Sequence, residues 1–112
     1  MSRRATGLRA WAVQRLSAAY LAVFALVLAG RLVLAPPADV LAWRAWVATP
    51  WINAAFGLAL AALLLHAWVG IRDVVLDYVH SVPLRLAVLA FVLLALAAYA
   101  WWGLRILTGA AP

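Results

Sequence analysis

The chain has 112 residues, of which 71% are hydrophobic and 11% charged. A soluble domain is nearer half apolar and a quarter charged, and a chain this short cannot bury so much apolar surface in a core of its own. Disordered chains are polar and charged, so disorder is excluded as well. The formal charge is +6, from nine arginines and three aspartates, with no lysine or glutamate. The arginines are spread over tails and loops, which points to orientation in an anionic bilayer and away from nucleic acid. Cysteine is absent. That excludes disulfides, thiolate zinc sites, Cys-ligated iron–sulfur clusters and covalently attached c-type haem.

A hydrocarbon layer of about 30 Å takes about 20 helical residues, so three spans would use roughly 60 residues. The remainder makes two short loops and two tails, and the expected fold is all-α, one membrane domain over residues 1–112 with three transmembrane helices. The first span is expected at about 16–34. It is apolar except for Arg31, which can snorkel to the headgroups, and Pro36 and Pro37 stop it. The second lies in the uncharged stretch between Arg44 and Arg72, at about 51–71, with Pro50 suited to a helix start. The third lies between Arg85 and Arg105, at about 84–107, with Pro83 at its head. Tryptophans stand where interface anchors belong: Trp11 before the first span, Trp43, Trp46 and Trp51 in the loop before the second, Trp101 and Trp102 at the end of the third.

Arg3, Arg4, Arg9, Arg15, Arg72 and Arg85 fall on one side of the membrane, against Arg31, Arg44 and Arg105 on the other. Six against three places the N-terminus and the second loop in the cytoplasm. Ser2-Arg3-Arg4 and Val33-Leu34-Ala35 faintly resemble a twin-arginine signal and a cleavage site. Pro36 would follow the cut directly and the apolar run is long for a signal peptide, so the segment reads as a retained helix.

His66 is the sharpest chemical feature. It lies deep in the second span, where an unpaired ionisable group is costly. It is a cofactor ligand or proton relay, or else a neutral imidazole hydrogen-bonded to a neighbouring helix; the depth favours the first. Ala59, Ala62 and Gly70 recur on its helical face. Such small residues serve close helix packing, or leave room for a flat macrocycle, and the stripe alone does not discriminate. The other histidine, His80, is fourteen residues further on and reads as a solvated loop residue. The two cannot clamp one group, so a second histidine ligand would have to come from another chain. Asp73, Asp77 and Tyr78 follow at the membrane edge. On spacing alone they read as an interface belt with an Arg72–Asp73 pair, worth roughly 0–1 kcal/mol. They also suit a polar mouth for a lipid-soluble quinone, with Tyr78 donating to a carbonyl and Asp77 handling a proton. Arg15, two residues before Ser17, reads first as positive-inside dressing and second as a partner for a propionate or phosphate.

His66-Ala67-Trp68-Val69-Gly70, then Asp77-Tyr78-Val79 and Leu84-Arg85, resembles the hydrophobic membrane anchor (D) subunit of succinate dehydrogenase. The spacing of twelve from His66 to Tyr78, the three spans, and Arg15 with Ser17 at the head of the first span are similar too. The resemblance covers roughly Trp11 to the C-terminus, and only the H-A-W-x-G…D-Y string is fairly specific. It implies that His66 is an axial ligand to the iron of haem b, shared with a histidine of the cytochrome b556 (C) subunit in a heterodimeric helix bundle. It implies that Tyr78 binds ubiquinone, that Asp77 belongs to the same pocket, and, more weakly, that Arg15 lies near the haem propionates. It further implies an iron–sulfur (B) and a flavoprotein (A) subunit on the cytoplasmic face, lipid around the spans, and a bacterial inner membrane. The anchor itself would not oxidise succinate. Pro83 is a departure: here it follows His80-Ser81-Val82, whereas relatives place Lys-Pro directly after D-Y-V, which leaves the role of His80 open. The alternatives are an anchor of a quinol:fumarate reductase, and a small non-redox scaffold or transporter subunit in which His66 is a packing or proton-relay residue.

Overall fold

The computed structural model describes the backbone of residues 3–109 and side chains from Gly7 onward. Ser2 and the side chains of Arg3 and Arg4, used above for orientation and the signal motif, lie outside the described residues. Four helices follow in order: α1 (Arg3–Leu34), α2 (Val40–Ala48), α3 (Pro50–Tyr78) and α4 (Val82–Thr108). Three of them, α1, α3 and α4, are long and apolar enough to cross a membrane.

Each helix outruns the span expected from hydropathy. α1 has 32 residues and begins thirteen residues before Leu16, because nothing between Arg3 and Arg15 breaks a helix. Trp11, expected before the span, therefore stands on α1 itself. The helix ends at Leu34, with Ala35 making a last bond to the Arg31 carbonyl at 2.9 Å before Pro36 and Pro37. α3 starts at Pro50, as the proline suggested, and runs two turns past Ile71, so Asp73, Asp77 and Tyr78 stand on helix. α4 starts one residue before Pro83 and is closed by Gly109.

The stretch expected as an aromatic loop is in part a helix, α2. Asp39 starts it: its carboxylate accepts from the Ala42 amide at 2.7 Å, an N-cap. Thr49 then turns extended ahead of Pro50. α2 brings Trp43 and Trp46 onto the edge of Phe56, which also meets Phe24. Arg31 does not simply reach for headgroups. Its guanidinium lies 5.2 Å from the Trp46 ring centroid, a cation–π contact that ties α1 to α2.

α3 is the middle helix. It packs on α1 along one side and on α4 along another, and among the described residues α1 and α4 do not meet. The bundle is 51 Å long, enough for a bilayer with its headgroup layers, about 40–45 Å. Buried side chains are few and small: Ser17, Val47, Ala59, Ala62, Val69 and Val75. Large apolar residues such as Leu26, Phe91 and Leu94 face outward on all three long helices. Such a surface suits lipid, and each helix satisfies its own backbone there.

Polar side chains fasten the helices at one end. Tyr20 Oη donates to the Ala55 carbonyl at 2.7 Å, joining α1 to α3. Asn53 Nδ2 donates to Leu107 O at 3.0 Å and Val47 O at 3.2 Å, joining α3 to the ends of α4 and α2. The α3–α4 seam closes at Gly103, where a Cβ would stand 2.5 Å from Leu60 Cδ2. Gly103→Val is therefore expected to destabilise the folded chain by about 1–3 kcal/mol, the usual cost of overpacking. Gly57→Ala, whose new methyl would meet Leu107 at an ordinary 3.8 Å, is expected to be near neutral. Unfolding of the two variants in mixed detergent micelles checks this; equal midpoints would show that Gly103 is not a close-packing position.

Candidate functional site

His66 stands at the α1–α3 seam. Its Nδ1 lies 3.3 Å from the carbonyl oxygen of Gln14 and 3.2 Å from Ser17 Oγ, both on α1. Ser17 is 8% exposed and its hydroxyl donates to the same Gln14 carbonyl at 3.0 Å. These contacts suit the tautomer with the ring proton on Nδ1: a carbonyl can only accept, so with the Ser17 proton given to Gln14 an Nδ1–H would face that carbonyl. Nε2 makes no hydrogen bond among the described residues.

The small-residue stripe divides between two tasks. Ala59 and Ala62 are buried in the bundle, and at Gly70 a Cβ would meet Gln14 Nε2 at 3.4 Å. This is close helix packing against α1. The open space beside His66 borders this same seam, in a groove of about 350 Å³ lined by Gln14, His66, Ala67, Gly70, Ile71 and Val74. The groove is almost wholly apolar, and Gln14 and His66 are its polar side chains.

Asp77 and Tyr78 stand eleven and twelve residues further along α3, about 16–18 Å by helical rise. Both are exposed, Tyr78 at 77%. Neither side chain makes a hydrogen bond among the described residues. Arg72 and Asp73 do form the expected pair, with Nη2 to Oδ1 at 2.9 Å and Nε to the same oxygen at 3.2 Å. Arg15 is not beside His66. Its guanidinium lies over Trp11, 5.4 Å from the ring centroid. It lines a separate groove with Gly7, Ala10, Trp11, Val69, Arg72 and Asp73, which shares Gln14 with the His66 groove. His80 is exposed in the three-residue link between α3 and α4. Among the described residues no three His, Asp or Glu side chains converge as metal ligands.

Gln14 is the residue that sequence reasoning passed over. Its carbonyl holds His66, and its own Oε1 is buried without a hydrogen-bond partner. The available signal was its rarity: it is the one glutamine in the chain, on the edge of an apolar span and one turn before Ser17.

Residues 1–101 match the family of transmembrane subunits of succinate dehydrogenase and fumarate reductase. The chain is also 31% identical, over 95% of its own length and 90% of the relative's, to a protein of Coxiella burnetii named as the succinate dehydrogenase hydrophobic membrane anchor subunit. The chain belongs to this family. As a succinate dehydrogenase/fumarate reductase transmembrane subunit it is a multi-pass membrane protein, all-helical, with three apolar spans. The matched stretch contains the whole α1–α3 seam, His66, Asp77 and Tyr78, and ends inside α4. The family resemblance read from the H-A-W-x-G…D-Y string is thereby established over nearly the whole chain.

Proposed function

We propose that this chain is the hydrophobic membrane anchor subunit of a succinate dehydrogenase, that His66 holds one face of a haem b, and that Tyr78 and Asp77 form part of the ubiquinone reduction site. One observation carries the reading: the Nδ1 of His66 is held 3.3 Å from the Gln14 carbonyl, and the side chain lines an almost wholly apolar groove. Metal-ligating histidines are held in this way, with the second ring N–H donated to a carbonyl that fixes the tautomer and the ring plane.

The residues fit a haem. An imidazole fixed from behind can ligate through Nε2, and Ala67 and Gly70 leave space at its side. His66 is the one histidine at this depth, so a second histidine ligand would come from a companion cytochrome b556 (C) subunit, and His66 would then link the two anchors through the shared haem. When bound, haem b supplies a one-electron redox centre within the bilayer.

The quinone chemistry needs groups at the membrane edge. Quinone takes up two electrons and two protons to become quinol. The electrons come from succinate by way of the flavoprotein (A) and iron–sulfur (B) subunits docked on the cytoplasmic face. Tyr78 Oη donates a hydrogen bond to a quinone carbonyl, and Asp77, one residue away, accepts and passes on protons from water. Arg15, at the cytoplasmic end of α1, supplies positive charge for a propionate; its present partner, the Trp11 face, is one that it can leave. The arginine count, six against three, favours the N-terminus and the α3–α4 link on the cytoplasmic side, and the membrane would be a bacterial inner membrane. The chain has no part in succinate oxidation itself.

Extraction in mild detergent and purification through a tag on this chain tests the assignment. The expected result is co-purification of a flavoprotein and an iron–sulfur protein, with succinate-dependent ubiquinone reduction in the eluate. A chain that elutes alone, without redox activity or cofactor, would overturn it.

A further inference from the structure

We propose that Arg85 is a positioning residue for the quinone site: from the first turn of α4 its guanidinium clamps the end of α3 on which Asp77 and Tyr78 stand. Arg85 Nε donates to the Val79 carbonyl at 3.0 Å and Nη2 donates to the Leu76 carbonyl at 3.3 Å. The two acceptors bracket the Asp77–Tyr78 pair, one residue before it and one after. They are among the carbonyls that a helix end leaves without an intrahelical partner. The Val75 carbonyl is already taken by the Val79 amide at 2.9 Å, so the guanidinium extends the capping by two further acceptors.

The clamp matters because nothing else fixes Tyr78. Its side chain is 77% exposed and makes no hydrogen bond among the described residues. The position of its hydroxyl then depends on the backbone beneath it. That backbone is the last turn of a helix, the part that frays first, and only Val79, His80 and Ser81 separate it from α4. A guanidinium is a planar fork whose two arms can hold two carbonyls at a fixed separation, and an ammonium is not. Charge alone would favour a cation at this helix end and on this side of the membrane, and lysine would serve those ends equally well. The comparison of arginine with lysine therefore separates the fork from the charge.

The proposal rests on the reading of Tyr78 as the quinone donor, so Tyr78→Phe is measured in parallel. The intact complex is purified with Arg85→Ala, Arg85→Lys and Tyr78→Phe, and steady-state reduction of a short-tailed ubiquinone is followed. Arg85→Ala is expected to raise the ubiquinone KM roughly tenfold, with kcat within about twofold of the parent, as displacement of a binding group by a fraction of an ångström does. Arg85→Lys, which reaches one carbonyl at a time, is expected to fall between the two. Adding Arg85→Ala to Tyr78→Phe is expected to raise KM no further, since the group being positioned is already gone. An unchanged KM in Arg85→Ala overturns the proposal, and so does a full restoration by lysine, which would reduce Arg85 to its charge. If Arg85→Ala does not assemble, the lysine variant, which keeps charge and length, decides the matter by the same KM. Normal kinetics in Tyr78→Phe would instead overturn the underlying reading of the site, whatever Arg85 does.

Discussion

His66→Ala is expected to remove the haem b Soret and α bands from the purified complex while the chain stays in the membrane. The substitution would take away one of the two imidazoles that hold the haem, so the bands of the doubly ligated group are lost whether it leaves or stays on a single ligand. The other histidine of the chain, His80, is fourteen residues away beyond the end of α3 and cannot substitute. The variant gives up a hydrogen bond between α1 and α3, and bonds of that kind inside a membrane contribute about 0.6–2 kcal/mol. The rest of the seam, including the Tyr20–Ala55 bond and the close approach at Gly70, is untouched. Loss of the spectrum without loss of the protein is thus the signature of a ligand. A complex that keeps its haem bands after the substitution would show that His66 is a packing residue, and a parent complex without haem would favour the non-redox reading.

Tyr78→Phe is expected to lower ubiquinone reduction by roughly 10²-fold, the effect of losing one well-placed donor or proton-transfer group. The change deletes a hydroxyl that makes no bond within the described residues, so it takes nothing from the fold of the chain. Electron transfer from succinate to an artificial dye, which draws on the complex ahead of quinone, reports whether the complex is intact. Normal ubiquinone reduction in the variant would take Tyr78 out of the site.

Much of the membrane architecture was legible because hydropathy and proline act locally. Pro36, Pro37, Pro50 and Pro83 mark where helices stop and start, and the structure keeps each of them within three residues of a helix end. The helix lengths were less legible. Hydropathy marks the part of a helix that suits lipid, whereas a helix continues until something breaks it, and nothing does so between Arg3 and Leu16 or between Ile71 and Tyr78. α2 is short, and tryptophans crowded before a span read equally well as interface anchors in a loop. Asp39, three residues before Ala42, was the capping signal that could have found it. His66 stood out as an ionisable side chain in an uncharged span. Gln14 did not, because it acts through its main-chain carbonyl, which no pattern of side chains reports. Arg85 was visible as a bound of the third span, a charge for orientation and part of a familiar string, but its work on backbone carbonyls was not.

A composition of 71% apolar residues with three prolonged uncharged runs determined by itself that this chain crosses a membrane three times, with one imidazole at depth and a phenol at the edge. Each span satisfies its own backbone, so its existence needs no neighbour. Which helix lies in the middle, which way the Ala59–Ala62–Gly70 stripe faces, and which groups of α1 hold His66 were decided only in the tertiary structure. Those outcomes depend on contacts between helices, made by van der Waals fit and by a few bonds such as that from His66 to Gln14. Lipid is as apolar as the helices themselves, so hydrophobicity cannot choose among neighbours, and close packing and hydrogen bonds must.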